Sequence, residues 1–298
     1  MSDSVSFLYS DDALVVVDKP AGVTVIPAPD VAAGACLRDR VASTLGGRVW
    51  VVHRLDRDTS GAVAFARTAE AHRALSMAFE RRDVVKEYRA LVAGRPTPAA
   101  GTVDVALHDA RKGKARPAAP GEPGARQAVT RYETGRVWRL GERHVAEVAA
   151  RPATGRHHQI RVHLRAIGTP ILGDAHYGGA LVTPFAAVPV PRLALHAAAL
   201  DVPHPVSGRP LAAPAQGPAA LAAVPEWRGA PAVLEATSWP SCPCPRVRCR
   251  ACSGPWTCRS RSVRSTPPSL TAPSSPWPIA PASGSPSPWS IARLGPCG

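Results

Sequence analysis

The first 235 residues contain a single cysteine, Cys36, so no disulfide framework is expected there and a reducing compartment suits the chain. No uncharged apolar run reaches the roughly 18–20 residues that a membrane span requires. Met1–Ser10 carries Asp3 and no basic stretch, so a secretory leader is not expected either. A soluble cytoplasmic protein is the expectation. No internal repeat is visible. Acidic residues and lysine are absent from Ala236 to Gly298, where 7 arginines, 13 prolines, four of the 7 tryptophans and six of the 7 cysteines are found. Such a segment has no apolar periodicity with which to offset its ordering entropy, so 236–298 is expected to be disordered or the product of a shifted reading frame. Cys249-x-x-Cys252 has zinc-ligand spacing, but no second pair and no histidine follows, and no metal is expected.

Length and charge come next. The chain's 298 residues leave 1–235 as one body long enough for a sizeable core. Of the formal charge of +14, the tail supplies +7; the body, with 29 basic and 22 acidic residues, supplies the other +7. A basic body suits a polyanionic partner.

Periodicity then predicts the elements. Leu14–Val17 reads as a strand, Asp18–Gly22 as a turn and Val23–Ile26 as a second strand. Leu37, Val41 and Leu45 predict an amphipathic helix over 36–45, stopped at Gly46-Gly47. Val49–Val52 and Ala62–Ala66 read as short buried strands. Thr68 is placed to cap a helix with Ala71, Leu75, Ala78 and Phe79 on one side, and Lys86–Val92 reads as a strand. Pro96–Gly124, with the basic run Arg111-Lys112-Gly113-Lys114, reads as a solvated loop, with a phosphate contact as the alternative. Gln127–Thr134 and Val145–Ala150 read as strands paired across a turn near Gly141. Thr154 is placed to cap a helix that carries Ile160, Leu164 and Ile167 and ends at Gly168, with His157, Arg161 and Arg165 recurring on a neighbouring face. Leu193–Val202 reads as a last strand. Without regular βαβ alternation, these elements predict an α+β fold with a mixed, mainly antiparallel sheet and flanking helices.

Chemistry concentrates in His53-Arg54-Leu55-Asp56-Arg57-Asp58-Thr59-Ser60-Gly61, which sets two carboxylates, two guanidiniums and an imidazole between apolar runs. By residue type alone Asp56 and Asp58 are equal candidates, and either also fits a turn residue bonding its own backbone. His157, His158 and His163 suggest a metal site, but no carboxylate or thiolate lies at ligand spacing and the neighbours are cationic, so structural roles or ones facing the polyanionic partner are expected.

Six strings stand in a telling order: Asp18-Lys19-Pro20-Ala21-Gly22, His53 to Gly61, Val85-Lys86-Glu87-Tyr88, Thr154 to Leu164 (TGRHHQIRVHL), Gly173-Asp174 with Tyr177-Gly178, and Leu195-His196-Ala197. From about Leu14 to Pro225 the chain resembles the RluA-type pseudouridine synthases. Ile26-Pro27 stands where that family usually has His-Pro. The resemblance implies one catalytic domain over 1–235, in the short form without an N-terminal S4-like domain. It implies isomerisation of uridine to pseudouridine in structured ribosomal or transfer RNA, without a cofactor. A monomer with no obligate protein partner is the default expectation, and no metal is expected.

Carried over by motif, Asp56 is the essential carboxylate, Arg161 its ion-pair partner, Arg54 the residue entering the RNA stack when the nucleotide is flipped, and Tyr88 the residue packing on the uracil. Whether Asp56 attacks a carbon or takes a proton is open at this stage. The rival expectation is a non-catalytic RNA-binding or RNA-chaperone protein on the same scaffold.

Overall fold

The computed structural model describes residues 5–110, 113–140, 142–179, 190 and 192–215. Two units divide the chain, Met1–Ser241 and Cys242–Gly298, and every described residue belongs to the first. The boundary expected at 235 and the tail 236–298 lie outside the described residues.

Twelve strands and three helices follow in the order β1 (Ser6–Ser10), β2 (Leu14–Lys19), α1 (Leu37–Leu45), β3 (Trp50–Val51), β4 (Ser60–Ala66), α2 (Ala69–Arg81), β5 (Val85–Ala93), β6 (Ala100–Asp104), β7 (Leu107–Ala110), β8 (Lys114–Pro117), β9 (Val129–Leu140), β10 (Arg143–Pro152), α3 (Gln159–Ala166), β11 (Leu195–Pro203) and β12 (Pro210–Pro214) among the described residues. Ten strands form one sheet along the path β1-β2-β4-β11-β5-β10-β9-β6, with β12 beside β11 and β3 beside β4. Every ladder in it is antiparallel except β11 against β4. Strands β7 and β8 form a separate hairpin. This is the α+β, mainly antiparallel arrangement that the sequence predicts.

The continuous apolar runs have a packing reason. Leu14 and Val16, with Ala62, Ala64 and Ala66, join the core on the α2 side, where Ala71, Leu75 and Ala78 cover them. Val15, Val17, Val63 and Phe65 point the other way and pack with Leu37 and Val41 of α1. A strand covered on both faces loses the apolar/polar alternation. Thr68 caps α2 by accepting the Ala71 N–H at 3.1 Å, and α1 ends at Gly46 with φ +65°.

Four expectations are corrected. Val23–Ile26 is a loop, because its Thr24 and Val25 carbonyls accept from Leu37 and Arg38 at the start of α1 instead of a strand. The Pro/Gly-rich 96–124 segment holds β6, β7 and β8, paired with the distant β9 or with each other. Helix α3 begins at Gln159 with His158 as its N-cap, since the Thr154 hydroxyl is occupied by Gln159 Oε1 at 2.7 Å and by the Val129 N–H at 3.1 Å. Strand β11 is followed by β12.

One row of pairing prepares the site. Lys19 faces Gly61, Gly61 faces Ala197, Ala197 faces Tyr88, and Tyr88 faces Ala150. Directly opposed residues share a sheet face, so small residues separate Lys19 from Tyr88 and leave room above them. Gly61 permits the parallel crossing: at φ +115°, an added Cβ would lie 2.2 Å from the Ala197 carbonyl oxygen.

Candidate active site

The loop between β3 and β4 is pinned at alternate residues. His53 accepts the Ala64 N–H at Nε2, 3.0 Å away, and stacks on Phe79 at 4.8 Å. Burial, then the charge of Lys86, pulls its pKa down to about 3, so the ring is neutral. Leu55 inserts into the core beside α1. From below, the fully buried Lys19 donates from Nζ to the carbonyls of Pro20, Val23 and Arg57 at 2.9, 2.7 and 2.7 Å. The Gly22 N–H reaches the same Arg57 carbonyl at 2.9 Å. Arg54, Arg57 and Asp58 are left exposed. Arg57 pairs with Asp30 at 2.6 Å, and Arg54 has no hydrogen-bond or ion-pair partner among the described residues.

Asp56 is separated from Asp58 by this pinning. Its side chain is 26% exposed and opens on a cavity of about 950 Å³, whose walls include Arg54, Tyr88, His158 and Arg161. Asp58 is on the outside. Arg161 Nη1 lies 3.4 Å from Asp56 Oδ2, and His158 Nε2 lies 3.6 Å from the same oxygen. The closest partner of Arg161 is a different carboxylate: Asp174 receives Nε and Nη2 at 2.8 Å each, in a bidentate pair whose members are 4% and 0% exposed. Burial opposes the charge of Arg161, but the hydrogen bonds and charge of Asp174, together with Asp56, outweigh it and hold the guanidinium above its ordinary pKa. Burial likewise opposes the Asp174 carboxylate, and Arg161 with the Tyr177 and His176 N–H groups brings it below its usual range.

Tyr88 stands on β5 at the middle of the sheet, with its ring against the cores on both sides. Burial, and then the charge of Asp56, push its phenol well above the ordinary value, so it is a protonated hydroxyl at neutral pH. His158, in the left-handed region at φ +53°, is drawn down to about 3 by burial and then by the charges of Arg161, His157 and His176. Lys86, Arg126 and Arg156 add further cations to the cavity wall.

The structure therefore brings Asp56, Arg161, Arg54 and Tyr88 to one cavity. Asp174, Tyr177 and Lys19 were missed as site residues by sequence reasoning, although all three lie in the six ordered strings; read locally, they are turn and strand residues. The expected cationic row is broken, because His157 precedes α3 and Arg161 is buried while Arg165 is exposed. The fold also supplies what sequence spacing did not: Asp56, His157 and His158 hold donor atoms within 4.8 Å of one another, the single such group among the described residues. Two features oppose a metal there. The Arg161 guanidinium already faces the carboxylate, and the two stacked imidazoles already spend His157 Nε2 on the Gly113 carbonyl and His158 Nδ1 on the Tyr177 hydroxyl.

A family model for RNA pseudouridylate synthase matches residues 13–166. The chain is 40% identical over 226 residues to the ribosomal large subunit pseudouridine synthase D of Xanthomonas campestris pv. campestris, covering 71% of this chain and 65% of that protein. It is 38% identical over 201 residues to the dual-specificity RNA pseudouridine synthase RluA of Escherichia coli K12, covering 67% of this chain and 88% of that one. Among solved structures it is similar to human RNA pseudouridylate synthase domain containing 4, with a TM-score of 0.60, 26% identity, and coverage of 73% of this chain and 90% of that one.

Proposed function

The chain belongs to the RNA pseudouridylate synthase family, enzymes that isomerise uridine to pseudouridine in RNA, and on that premise we propose that Asp56 is its reacting carboxylate. The observation that carries this reading is the position of Asp56: of the two aspartates in the loop, it alone opens on the cavity and meets Arg161. The reaction breaks the C1′–N1 bond, turns the uracil and joins C1′ to C5; the proton leaves C5, N1 gains one, and the balance is zero. A carboxylate serves it by adding to a carbon centre, by stabilising cationic character at C1′, or by taking the 2′ proton. Each route needs Asp56 ionised at the cavity, and Arg161 supplies the opposite charge while Asp174 holds the guanidinium in place. Tyr88 offers the uracil the face of a neutral phenol to stack on. Arg54, exposed at the cavity lip, fills the stack that a flipped nucleotide leaves. Lys86, Arg126 and Arg156 meet the phosphates.

The substrate is uridine in structured ribosomal or transfer RNA; the relatives named for the ribosomal large subunit and for dual specificity on RNA support that choice. The protein acts as a cytoplasmic monomer without an obligate protein partner. No helix among the described residues is long and apolar enough to cross a membrane. The test is tritium release from C5 of uridine-labelled total RNA by the wild type and by Asp56→Asn. Release by the wild type alone is expected, with RNA binding kept in the variant. Turnover by Asp56→Asn well above background overturns the assignment.

A further inference from the structure

His158 and Tyr177 are held in a line that the roles above do not use. Tyr177 Oη lies 2.8 Å from the Ala115 backbone nitrogen and 2.8 Å from His158 Nδ1. A phenol has one proton. Its oxygen accepts the Ala115 N–H, and His158 Nδ1 is the acceptor the hydroxyl meets among the described residues, so the hydroxyl donates to Nδ1, which leaves the proton of the neutral imidazole on Nε2. At the other end, Nε2 faces Asp56 Oδ2 at 3.6 Å. An ionised carboxylate only accepts, so the opposite tautomer would set two lone pairs against each other. Both ends of the ring select the same tautomer.

The line has a built surround. Tyr177 is 9% exposed, its ring lies under the Arg161 guanidinium at 5.0 Å, and its backbone N–H is taken by Asp174 at 3.0 Å. Ala115 belongs to β8, in the hairpin that adjoins the basic run; the same hairpin accepts from His157 Nε2 at the Gly113 carbonyl, 2.9 Å away. One hydrogen bond thus ties the hairpin directly to the entry of α3, and a second reaches it through Tyr177 and continues to the site.

We propose that Tyr177 and His158 are positioning residues, which turn the hairpin's Ala115 N–H into a fixed, neutral N–H donor aimed at Asp56. This rests on the reading of Asp56 as the reacting carboxylate. A separation of 3.6 Å is longer than a hydrogen bond, and catalytic contacts of this kind shorten when substrate is bound. A neutral donor orients the carboxylate without discharging it, whereas Arg161 supplies the charge. The two groups on Oδ2 therefore have separate tasks.

The test compares Tyr177→Phe, His158→Gln and His158→Leu with the wild-type chain, using C5 tritium release from labelled RNA and ¹⁵N shifts of labelled histidine. Loss of one aligned donor is worth about tenfold in rate. Tyr177→Phe is expected to lower kcat by about that factor, to leave the KM for RNA within about twofold, and to lose the single Nε2–H signature of His158. His158→Gln, whose amide keeps an N–H near Nε2, is expected to retain more kcat than His158→Leu. A Tyr177→Phe chain with wild-type kcat overturns the proposal, as does one whose His158 keeps the Nε2–H form, or a pair of His158 variants with equal rates. If Tyr177→Phe does not fold, the two His158 variants decide alone. Turnover by Asp56→Asn breaks the underlying reading; an inactive Asp56→Asn beside fully active His158→Leu breaks only this inference.

Discussion

Two buried cations serve the same loop in different ways. Lys19, fully buried, spends its ammonium on three backbone carbonyls, one of them that of Arg57. Arg161, 4% exposed, spends its guanidinium on two carboxylates, Asp174 closely and Asp56 at 3.4 Å. Carbonyls cannot titrate or react, so Lys19 fixes where the loop runs. Carboxylates do both, so Arg161 sets the charge at the cavity. Burial draws the pKa of Lys19 down to about 7 against the pull of Asp58 and Asp56, while paired carboxylates hold that of Arg161 up. A buried charge marks a reacting site when its partners are themselves able to change state.

The sharpest break of that comparison is Asp56→Asn, which removes a reacting partner and leaves Lys19, Arg161 and Asp174 as they are. Tritium release is expected to fall to background with the melting temperature close to wild type. Next is Arg161→Met, which strands Asp174 in the interior; losing one partner of a buried pair costs about 3–5 kcal/mol. Chemical denaturation should show that loss together with lost activity, and a stable, active variant would remove Arg161 from the site. Lys19→Met orphans carbonyls instead of a charge, at about 1–3 kcal/mol. Its unfolding midpoint is expected to fall by less than that of Arg161→Met, with turnover still measurable below the melting transition.

A further effect comes with acid. His53 and His158 both have pKa values lowered from 6.5 to about 3 in the folded chain. Between those values the unfolded chain binds protons that the folded one refuses, so stability is full above about pH 6.5 and declines as the pH falls toward 3. Melting curves over that range check the sign, and His53→Gln should flatten the dependence. The smallest expected effect is none: deleting 236–298 is expected to leave activity and melting temperature unchanged, and a large loss of either would give the tail a role.

Much of this was legible before folding. The apolar run Leu14–Val17, the stripe of Leu37 and Val41 and the Thr68 cap depend on neighbours within a few residues, and each forms as predicted. The failures have one cause. Thr154 has the chemistry of a helix cap, but Val129, 25 residues away, claims its hydroxyl. Val23–Ile26 has the composition of a strand, but α1 takes its carbonyls. Pro96–Gly124 has the composition of a loop, but β9 pairs with its β6, and its β7 and β8 pair with each other. Local propensity loses where a distant group offers a better hydrogen bond.

The sequence by itself determined the helices, the continuous strands, the order of the six strings and the stock of carboxylates, guanidiniums and imidazoles. Only the tertiary structure decided that Asp56 and not Asp58 opens on the cavity, that Asp174 rather than Asp56 holds Arg161 most tightly, and that Tyr177 meets His158 at Nδ1. Periodicity is a property of neighbours along the chain. Convergence is not: Arg161 reaches Asp56 across 105 residues, and their encounter is set by the parallel crossing of β4 and β11 at Gly61, a close approach that no local pattern encodes.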